Sequence, residues 1–588
     1  MLSSELTEKG RNRAGASQPW GVGRDEQAAL SYRDVDILYD AVSQSAARIV
    51  AIQGVSFDVK KGSFTSVIGP SGCGKTSLLR LAAGFQEPTA GSVTCNGEGV
   101  RGLNHEVGYV TQQTKLYAWM TTRENLEFPL AVRGVAKNER ARRSELYLKM
   151  MGLSDFGDNY PHQLSGGMQK RASIAQTLIY DPPIILMDEP FAGLDAQTRM
   201  DVESDLLRLW TELRPTIVFV THDLTEAIAL SDAVVVMGAR PGRLKTIYQV
   251  PLARPRDVRA VQADPGFSAA YQHLWDQFRL DGVVPELQTS VPILPATDGR
   301  AFRPASPALD GEHSNGRTQV GRAGALRRRL RSPKLGVRVA QVMLLLVILG
   351  LWELLSDVGI LDPLIFSHPI GVVQELIHML SGQPVGLVTI YPQIWTTFTE
   401  MAVGYAIGGG GAIITAVILA RSRFVAQAVE PFMLAWYGIP IITIAPIFVL
   451  VLGIGFGSKV GTATFASFFV VFFQTYAGVK SLDEEQFLLA RIMGASRLDL
   501  MRKVLIPGSL PFVFVGLRMG IPTAMTGAII GEFIASSQGL GSFILNASSS
   551  FNAPATFAAL VILVAIVAIG GLLVRLLERV LVRWRPAG

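Results

Sequence analysis

The sequence predicts an α/β domain followed by an all-α bundle of six membrane-crossing helices. Two observations carry this. A glycine-rich turn near residue 70 sits between an apolar strand and a helix, and six long apolar runs are confined to the chain beyond residue 336. At 588 residues the chain is too long for one hydrophobic core. Charged residues make up only 17% of it and crowd into its first part, which separates a water-facing half from a lipid-facing one. The expected organisation is an N-terminal tail over 1–30, a nucleotide-binding domain over 31–280, a basic Pro-, Gly- and Ser-rich linker over 281–335 and a membrane domain over 336–588.

The tail is polar and lacks the apolar core of a secretory signal, so the first domain is expected on the cytosolic side. Two cysteines, Cys73 and Cys95, make no disulfide framework and suit a reducing compartment. The net charge of +6 does not indicate nucleic acid, because many arginines flank apolar spans.

Residues 55–68, "VSFDVKKGSFTSVI", read as two strands around a Lys-Gly turn. "GPSGCGKTS" follows, Gly69, Pro70, Ser71, Gly72, Cys73, Gly74, Lys75, Thr76 and Ser77, and then a helix. Backbone amides of such a loop cradle phosphates, the lysine neutralises them, and the threonine hydroxyl ligates Mg2+. The loop alone fits kinases, helicases, GTPases and transporters. Downstream, "IILMDEP" is an apolar strand ending in two acids. Asp188 is suited to the magnesium shell, and Glu189 to polarising a water against a γ-phosphate.

Between them lies "LSGGMQKR", Leu164 to Arg171. With it, this half resembles the ATPase subunit of ATP-binding-cassette transporters, whose motifs occur here in order. The resemblance implies an α/β P-loop ATPase with an antiparallel β subdomain and a helical subdomain, using ATP and Mg2+. By resemblance, Tyr39 stacks on adenine, and Gln112 in "YVTQQ" senses magnesium and the γ-phosphate. Ser165, Gly166 and Gly167 form the signature, Asp195 the D-loop, and His222 in "FVTHD" the switch histidine. Gln112 is thus both a catalytic and a metal candidate, with Thr76 and Asp188. Ser165 and its glycines at a helix start offer a hydroxyl and free amides to an anion, which in this family is the γ-phosphate held by a second ATPase subunit. A chain with one set of motifs is therefore expected to act as a pair. The sequence departs from the family at Thr111, where Phe is usual, at Gln176, where Arg is frequent, and in a lengthened loop after Tyr39.

Six spans follow, about 337–355, 394–419, 432–452, 460–479, 510–534 and 556–580. Arginines precede the first, "RRRLR" at 327–331, whereas 356–393 and 535–555 hold no Lys or Arg. Arg421, Arg423, Lys480, Arg491, Arg497, Arg502, Lys503 and the C-terminal arginines lie in the alternate connections. This places both termini inside, with Lys459 at the edge of an outer turn as the one exception. "GYAIGGGG" (404–411) suits close helix packing. Pro440, Pro446 and Pro522 can kink their helices. Glu400 and Glu532 are the acids set deepest, candidates for a pathway or for internal pairing.

The connection "FLLARIMGASRLDLMRKVLIPG" (487–508) is amphipathic, with Leu488, Leu489, Ile492 and Met493 on one stripe. Permeases of cassette importers carry a Glu-Ala-Ala motif with a spaced Gly and a downstream Pro at this place. Ala490, Gly494 and Pro507 match it, and Leu488 and Leu489 replace the Glu and first Ala. The segment near 484–503 is therefore expected to be a coupling helix that docks on the ATPase. "IFSHP", "IPIITIAPIFVLVLGIG" and "GLGSFI", with "MGARPGRL" in the ATPase half, resemble the nitrate, sulfonate and taurine importer family. That resemblance implies a bacterial inner-membrane importer of a small solute, served by a separate extracytoplasmic binding protein. An exporter or flippase, or a membrane-anchored ATPase that transmits force without transport, remains open at this point.

Overall fold

A computed structural model describes residues 28–39, 49–279, 333–386, 388–420 and 423–585. The tail, the linker and the loop after Tyr39 lie, apart from their edges, outside the described residues. The chain forms two compact units. One gathers the chain up to Glu286 with Ala477–Phe512 and Glu578–Gly588; the other comprises Leu287–Tyr476 and Val513–Leu577.

In the first unit, strands β1 (Ala28–Tyr39), β2 (Ile49–Lys60), β4 (Ala90–Cys95) and β5 (Glu98–Gly99) make an antiparallel sheet in the order β2-β1-β4-β5. A second sheet runs β10-β9-β3-β8-β7-β6. Its members are β3 (Phe64–Ile68), β6 (Val107–Val110), β7 (Ile184–Asp188), β8 (Thr216–Val220), β9 (Ala233–Met237) and β10 (Leu244–Gln249). All but β10 are parallel. Every residue of β3, β7 and β8 is buried, the continuous apolar pattern of strands covered on both faces. The sequence's two strands around the Lys-Gly turn thus belong to different sheets. Helices α1 (Lys75–Ala82), α2 (Thr122–Val132), α3 (Lys137–Met150), α4 (Gly166–Leu178), α5 (Ala196–Leu213), α6 (Leu224–Leu230) and α7 (Pro265–Arg279) complete the domain. Trp210, Phe64, Phe191 and Phe219 are fully buried in its core. Ligands of such sheets bind beyond the carboxyl ends of the parallel strands, which is where the phosphate-type loop after β3 and the two acids that end and follow β7 stand.

The same unit contains the amphipathic connection. Helix α14 (Glu484–Ile492) starts at Asp483, whose carboxylate accepts from the Glu485 amide at 2.9 Å. It ends before Gly494 at φ +98°, a left-handed conformation that glycine adopts without penalty. Leu489, Ala490, Ile492 and Met493 are buried within the ATPase cores while Arg491 and Arg497 stay exposed. Leu488 is only half-buried. A π-helical stretch, Leu500–Leu505, leads on to α15 (Ile506–Ala535).

The second unit is helical: α8 (Pro333–Asp357), α9 (Pro369–Leu380), α10 (Ile390–Leu419), α11 (Arg423–Tyr437), α12 (Ile441–Leu452), most of α13 (Phe456–Lys480) and of α15, α16 (Leu540–Ser549) and most of α17 (Ala553–Leu581). Among the described residues five helices are long and apolar enough to cross a membrane, and α11 with α12 supplies a sixth only as a broken pair bent by 93°. The third span is therefore not continuous. The break falls at Gly438-Ile439-Pro440, with Pro440 capping α12; proline lacks the amide an uninterrupted helix needs and disfavours helical geometry in the residue before it. Pro446 lies within α12. In the glycine run, a Cβ on Gly404 would lie 2.5 Å from Ala463, and one on Gly408 2.3 Å from the Ser467 hydroxyl, whereas Gly410 faces open space. Two of the five glycines at 404–411 thus let α10 touch α13.

Candidate functional site

The loop between β3 and α1 is shaped by its glycines. Gly74 caps α1 at φ +93°, and a Cβ there would meet Ile52 at 2.5 Å. One on Gly69 would meet the Cys73 sulfur at 2.8 Å. Cys73 is buried beneath the loop, and burial pushes its thiol up, which fits a packing residue. Lys75 is 7% exposed and folds back on the loop, donating to the carbonyls of Gly69 (2.7 Å) and Pro70 (3.1 Å). An ammonium so placed, inside a ring of backbone and at the start of α1, is positioned for an anion. Pro70 and Ser71 complete the ring. Tyr39, 41% exposed at the end of β1, reaches the Ser77 hydroxyl at 3.2 Å and the Gln86 side chain at 3.1 Å. Those contacts hold its hydroxyl beside the loop.

The Thr76 hydroxyl donates to Asp188 at 3.0 Å. Burial pushes the Asp188 carboxyl up, and the Thr76 hydrogen bond opposes this. Two hard oxygens on one spot, one of them from the buried Asp188, fit Mg2+, which prefers oxygen ligands and compensates a buried carboxylate.

Three residues meet at Glu189. Its carboxylate accepts from the Gln112 amide at 3.1 Å and lies 3.3 Å from His222 Nδ1. The His222 hydrogen bond holds the Glu189 carboxyl below its usual range, and Glu189 raises His222. Glu189 sits at φ +41°, a conformation that non-glycine residues adopt at a cost and that clusters at functional sites. An ionised carboxylate next to the two magnesium-type oxygens can take a proton from water.

Ser165 and Asp195 stand apart from that group. Each caps a helix, Ser165 accepting from the Met168 amide (3.3 Å) and Asp195 from the Thr198 amide (3.0 Å), and both are exposed. The Gly167 Cα approaches Thr198 so closely that a Cβ would lie 2.3 Å from its methyl. Gly166 meets nothing. Among the described residues no hydrogen bond joins Ser165 or Asp195 to the Gly69–Ser77 loop.

Two lysines were not singled out in the sequence. Lys170, on α4 one turn after the signature, is buried and donates to the carbonyls of Thr111 (3.0 Å) and Gln112 (2.6 Å); burial pushes its ammonium down to about 8. It ties the signature helix to the backbone that carries Gln112. Lys115 follows Gln112 by three residues and pairs with Asp483, and with Glu485 at 3.5 Å. Between these pairs and the magnesium-type oxygens lies a cavity of about 310 Å³, lined by Thr76, Asp188, Gln112 and Lys115 on one part and Asp483 and Glu485 on the other. Arg133 and Trp119 fix the same segment through the carbonyls of Met493 (3.0 Å) and Lys503 (2.8 Å).

In the membrane unit Glu400 and Glu532 are 1% and 0% exposed. Lys459, expected at an outer edge, is also buried, 3.2 Å from Glu400. Its pairing explains how the one exception in loop charge is tolerated.

Comparison with known proteins bears on both units. The family described as "ABC transporter" matches residues 52–192, and the "Binding-protein-dependent transport system inner membrane component" matches 408–585. An uncharacterised ABC transporter ATP-binding protein of Methanocaldococcus jannaschii is 48% identical over 215 residues, 37% of this chain and 80% of that protein. The taurine import ATP-binding protein of Jannaschia is 39% identical over 254 residues, covering 42% and 94%, and that of Roseobacter denitrificans is 41% identical over 235, covering 39% and 88%. A solved dimeric bacterial ABC transporter cassette is similar at 30% identity over 38% of this chain and all of that one, with a TM-score of 0.34. The chain is therefore a multi-pass membrane protein that binds and hydrolyses ATP to drive transport, and it belongs to the ATP-binding-cassette transporters, in the nitrate, sulfonate and taurine importer family, with ATPase and permease fused in one polypeptide.

Proposed function

We propose that two copies of this chain form an inner-membrane importer for a small sulfonate or similar oxyanion, delivered by a separate extracytoplasmic binding protein. The observation that carries the solute class is the similarity of the ATPase half to taurine import ATP-binding proteins at 39–41% identity across most of their length. The buried pairing of Glu400 with Lys459 supports it, because that acid does not present a free negative charge to an anion.

In this reading Lys75 and the loop amides hold the phosphates of ATP, and Tyr39 stacks on its base. Thr76, Asp188 and Gln112 would hold Mg2+, which would offset charge on the phosphate oxygens. Glu189 accepts the proton of the attacking water, and His222 orients it through the 3.3 Å contact. Ser165, Gly166 and Gly167 of one chain close on the nucleotide bound by the other, with Asp195 at the same seam. The exposed helix cap at Ser165 and the absence of a hydrogen bond between it and its own phosphate loop among the described residues support a site shared between chains. Both termini and the ATPase face the cytoplasm, which the loop-charge alternation supports.

The test is uptake of labelled taurine into proteoliposomes holding the full chain, ATP and the purified binding protein, with nitrate and alkanesulfonates as competitors. Competition by sulfonates but not by amino acids of similar size supports the reading. Uptake that no oxyanion competes for, or ATP-dependent efflux, contradicts it.

A further inference from the structure

The membrane unit holds a buried charged cluster that ATP chemistry does not use. Glu400 on α10, Lys459 on α13 and Glu532 on α15 converge there. Lys459 Nζ lies 3.2 Å from one Glu400 oxygen and donates to the Ser536 hydroxyl at 2.7 Å. The other Glu400 oxygen is buried without a donor, and the two carboxyls stand within hydrogen-bonding reach of each other. Glu532 accepts from the Thr397 hydroxyl at 2.6 Å and from the Gly541 amide at the start of α16. The Thr397 hydroxyl accepts from the Leu540 amide at 2.7 Å, and Gln393 from the Gly539 amide at 2.6 Å. The "GLG" of 539–541 is shaped around this carboxylate: a Cβ on Gly539, at φ +106°, would lie 2.3 Å from Glu532, and one on Gly541 2.7 Å from it.

Charge does not balance here. Two carboxylates face one ammonium. Glu400 is the one charged residue of α10, residues 533–552 hold none, and the other charges of α13 and α15 are Lys480 and Arg518, six and four helical turns away by the 3.6-residue period. On α9, which packs on the same core, stand Glu375 and His378, both half-buried. On α17 the charges are Arg575, Glu578 and Arg579, near its C-terminal end. A buried charge without a partner is disfavoured strongly in such surroundings. Two buried carboxyls facing one ammonium, with one Glu400 oxygen lacking any donor, are satisfied by a hydrogen between them.

We propose that Glu400 and Glu532 form a proton-binding site, one proton bridging the two carboxyl groups, and that this proton holds α16 against α10. Losing it to solvent leaves two anions beside one lysine, repelling Glu400 from Glu532 and loosening the bonds from Glu532 and Thr397 to the start of α16. The site gives the permease a sensitivity to protons that is independent of nucleotide.

The test is thermal unfolding of the full chain in nanodiscs across pH 6 to 10, with Glu400→Gln and Glu532→Gln as variants. An amide can donate where the proton stood, so Glu400→Gln should lose less Tm than wild type on the alkaline side, by about 3 °C or more. The difference between the two proteins isolates the pair from groups that titrate elsewhere. Infrared spectra should show a protonated-carboxyl band in wild type that weakens in each variant, a readout that survives if one variant is poorly folded. Identical pH profiles for wild type and Glu400→Gln, together with no such band, would overturn the proposal. Alkaline stability restored by sodium would overturn it in favour of a bound metal cation.

Discussion

Reversing the charge of Lys115 tests whether the segment at 484–503 receives force through an ion pair. Lys115 is tucked in, its side chain 14% exposed, while Asp483 and Glu485 are 39% and 45% exposed. At about 3 Å and an effective dielectric near 20, one such pair is worth about 5 kcal/mol gross. Desolvating Lys115 and solvent screening of the two acids reduce this to a net of about 1–2 kcal/mol. The pairing with Asp483 is reflected in a carboxyl held below its usual range by the Lys115 hydrogen bond. Lys115→Glu replaces attraction with repulsion, so the segment should dock at least about tenfold less often, 1.4 kcal/mol being a factor of ten. The assay is solute moved per ATP hydrolysed in proteoliposomes. We expect that ratio to fall in Lys115→Glu and to recover when Asp483→Lys and Glu485→Lys are added, with a coupling energy of about 1–2 kcal/mol in the cycle. An unchanged ratio in Lys115→Glu, or a triple variant no better than the single one, refutes the reasoning.

Two further outcomes follow from buried charges in the ATPase unit. Glu203 is 4% exposed, with one oxygen lacking a partner, and burial pushes its carboxyl up to about 8. A carboxyl raised on folding supports stability fully below its ordinary value near 4.5 and loses that support as pH climbs toward 8. Glu203→Gln should therefore be more stable than wild type at pH 8, by about 2 kcal/mol or more of unfolding free energy, and match it near pH 5, as read by thermal unfolding. Lys170→Met removes the tie to the Gln112 carbonyl while filling the same space. ATP turnover should drop about tenfold with unfolding free energy changed by less than about 1 kcal/mol, because the buried ammonium carries a desolvation cost of its own.

Much of the ATPase was legible because its chemistry is written in contiguous residues. The turn Gly69–Ser77 needs glycines at fixed places, and the acids Asp188 and Glu189 follow an apolar strand that can only be central. The docking stripe was legible for the same local reason, a helical period in Leu489, Ile492 and Met493. The roles of Lys170 and Lys115 were not, because each depends on a partner far along the chain: Thr111 and Gln112 for the former, Asp483 for the latter. An isolated lysine on a helix or loop reads as a solvated charge. The pairing of Lys459 was hidden similarly, since loop-charge counting sees its position near the start of α13 and not Glu400 beside it. The 93° break between α11 and α12 was hidden by composition, which stays apolar across Gly438-Ile439-Pro440; hydropathy carries length but not direction.

The central claim is that each ATP site is built from the phosphate loop of one chain and the signature helix of another to power import. Mixed dimers decide it. A chain carrying Lys75→Ala is paired with one carrying Ser165→Ala, and separately a chain carrying both changes is paired with wild type; ATP hydrolysis coupled to uptake is then measured for both pairings. If sites are shared, the first pairing collects both lesions in one site and keeps the other intact, so it should retain the greater activity. Greater activity in the second pairing would mean that each chain completes its own site, and would contradict the account.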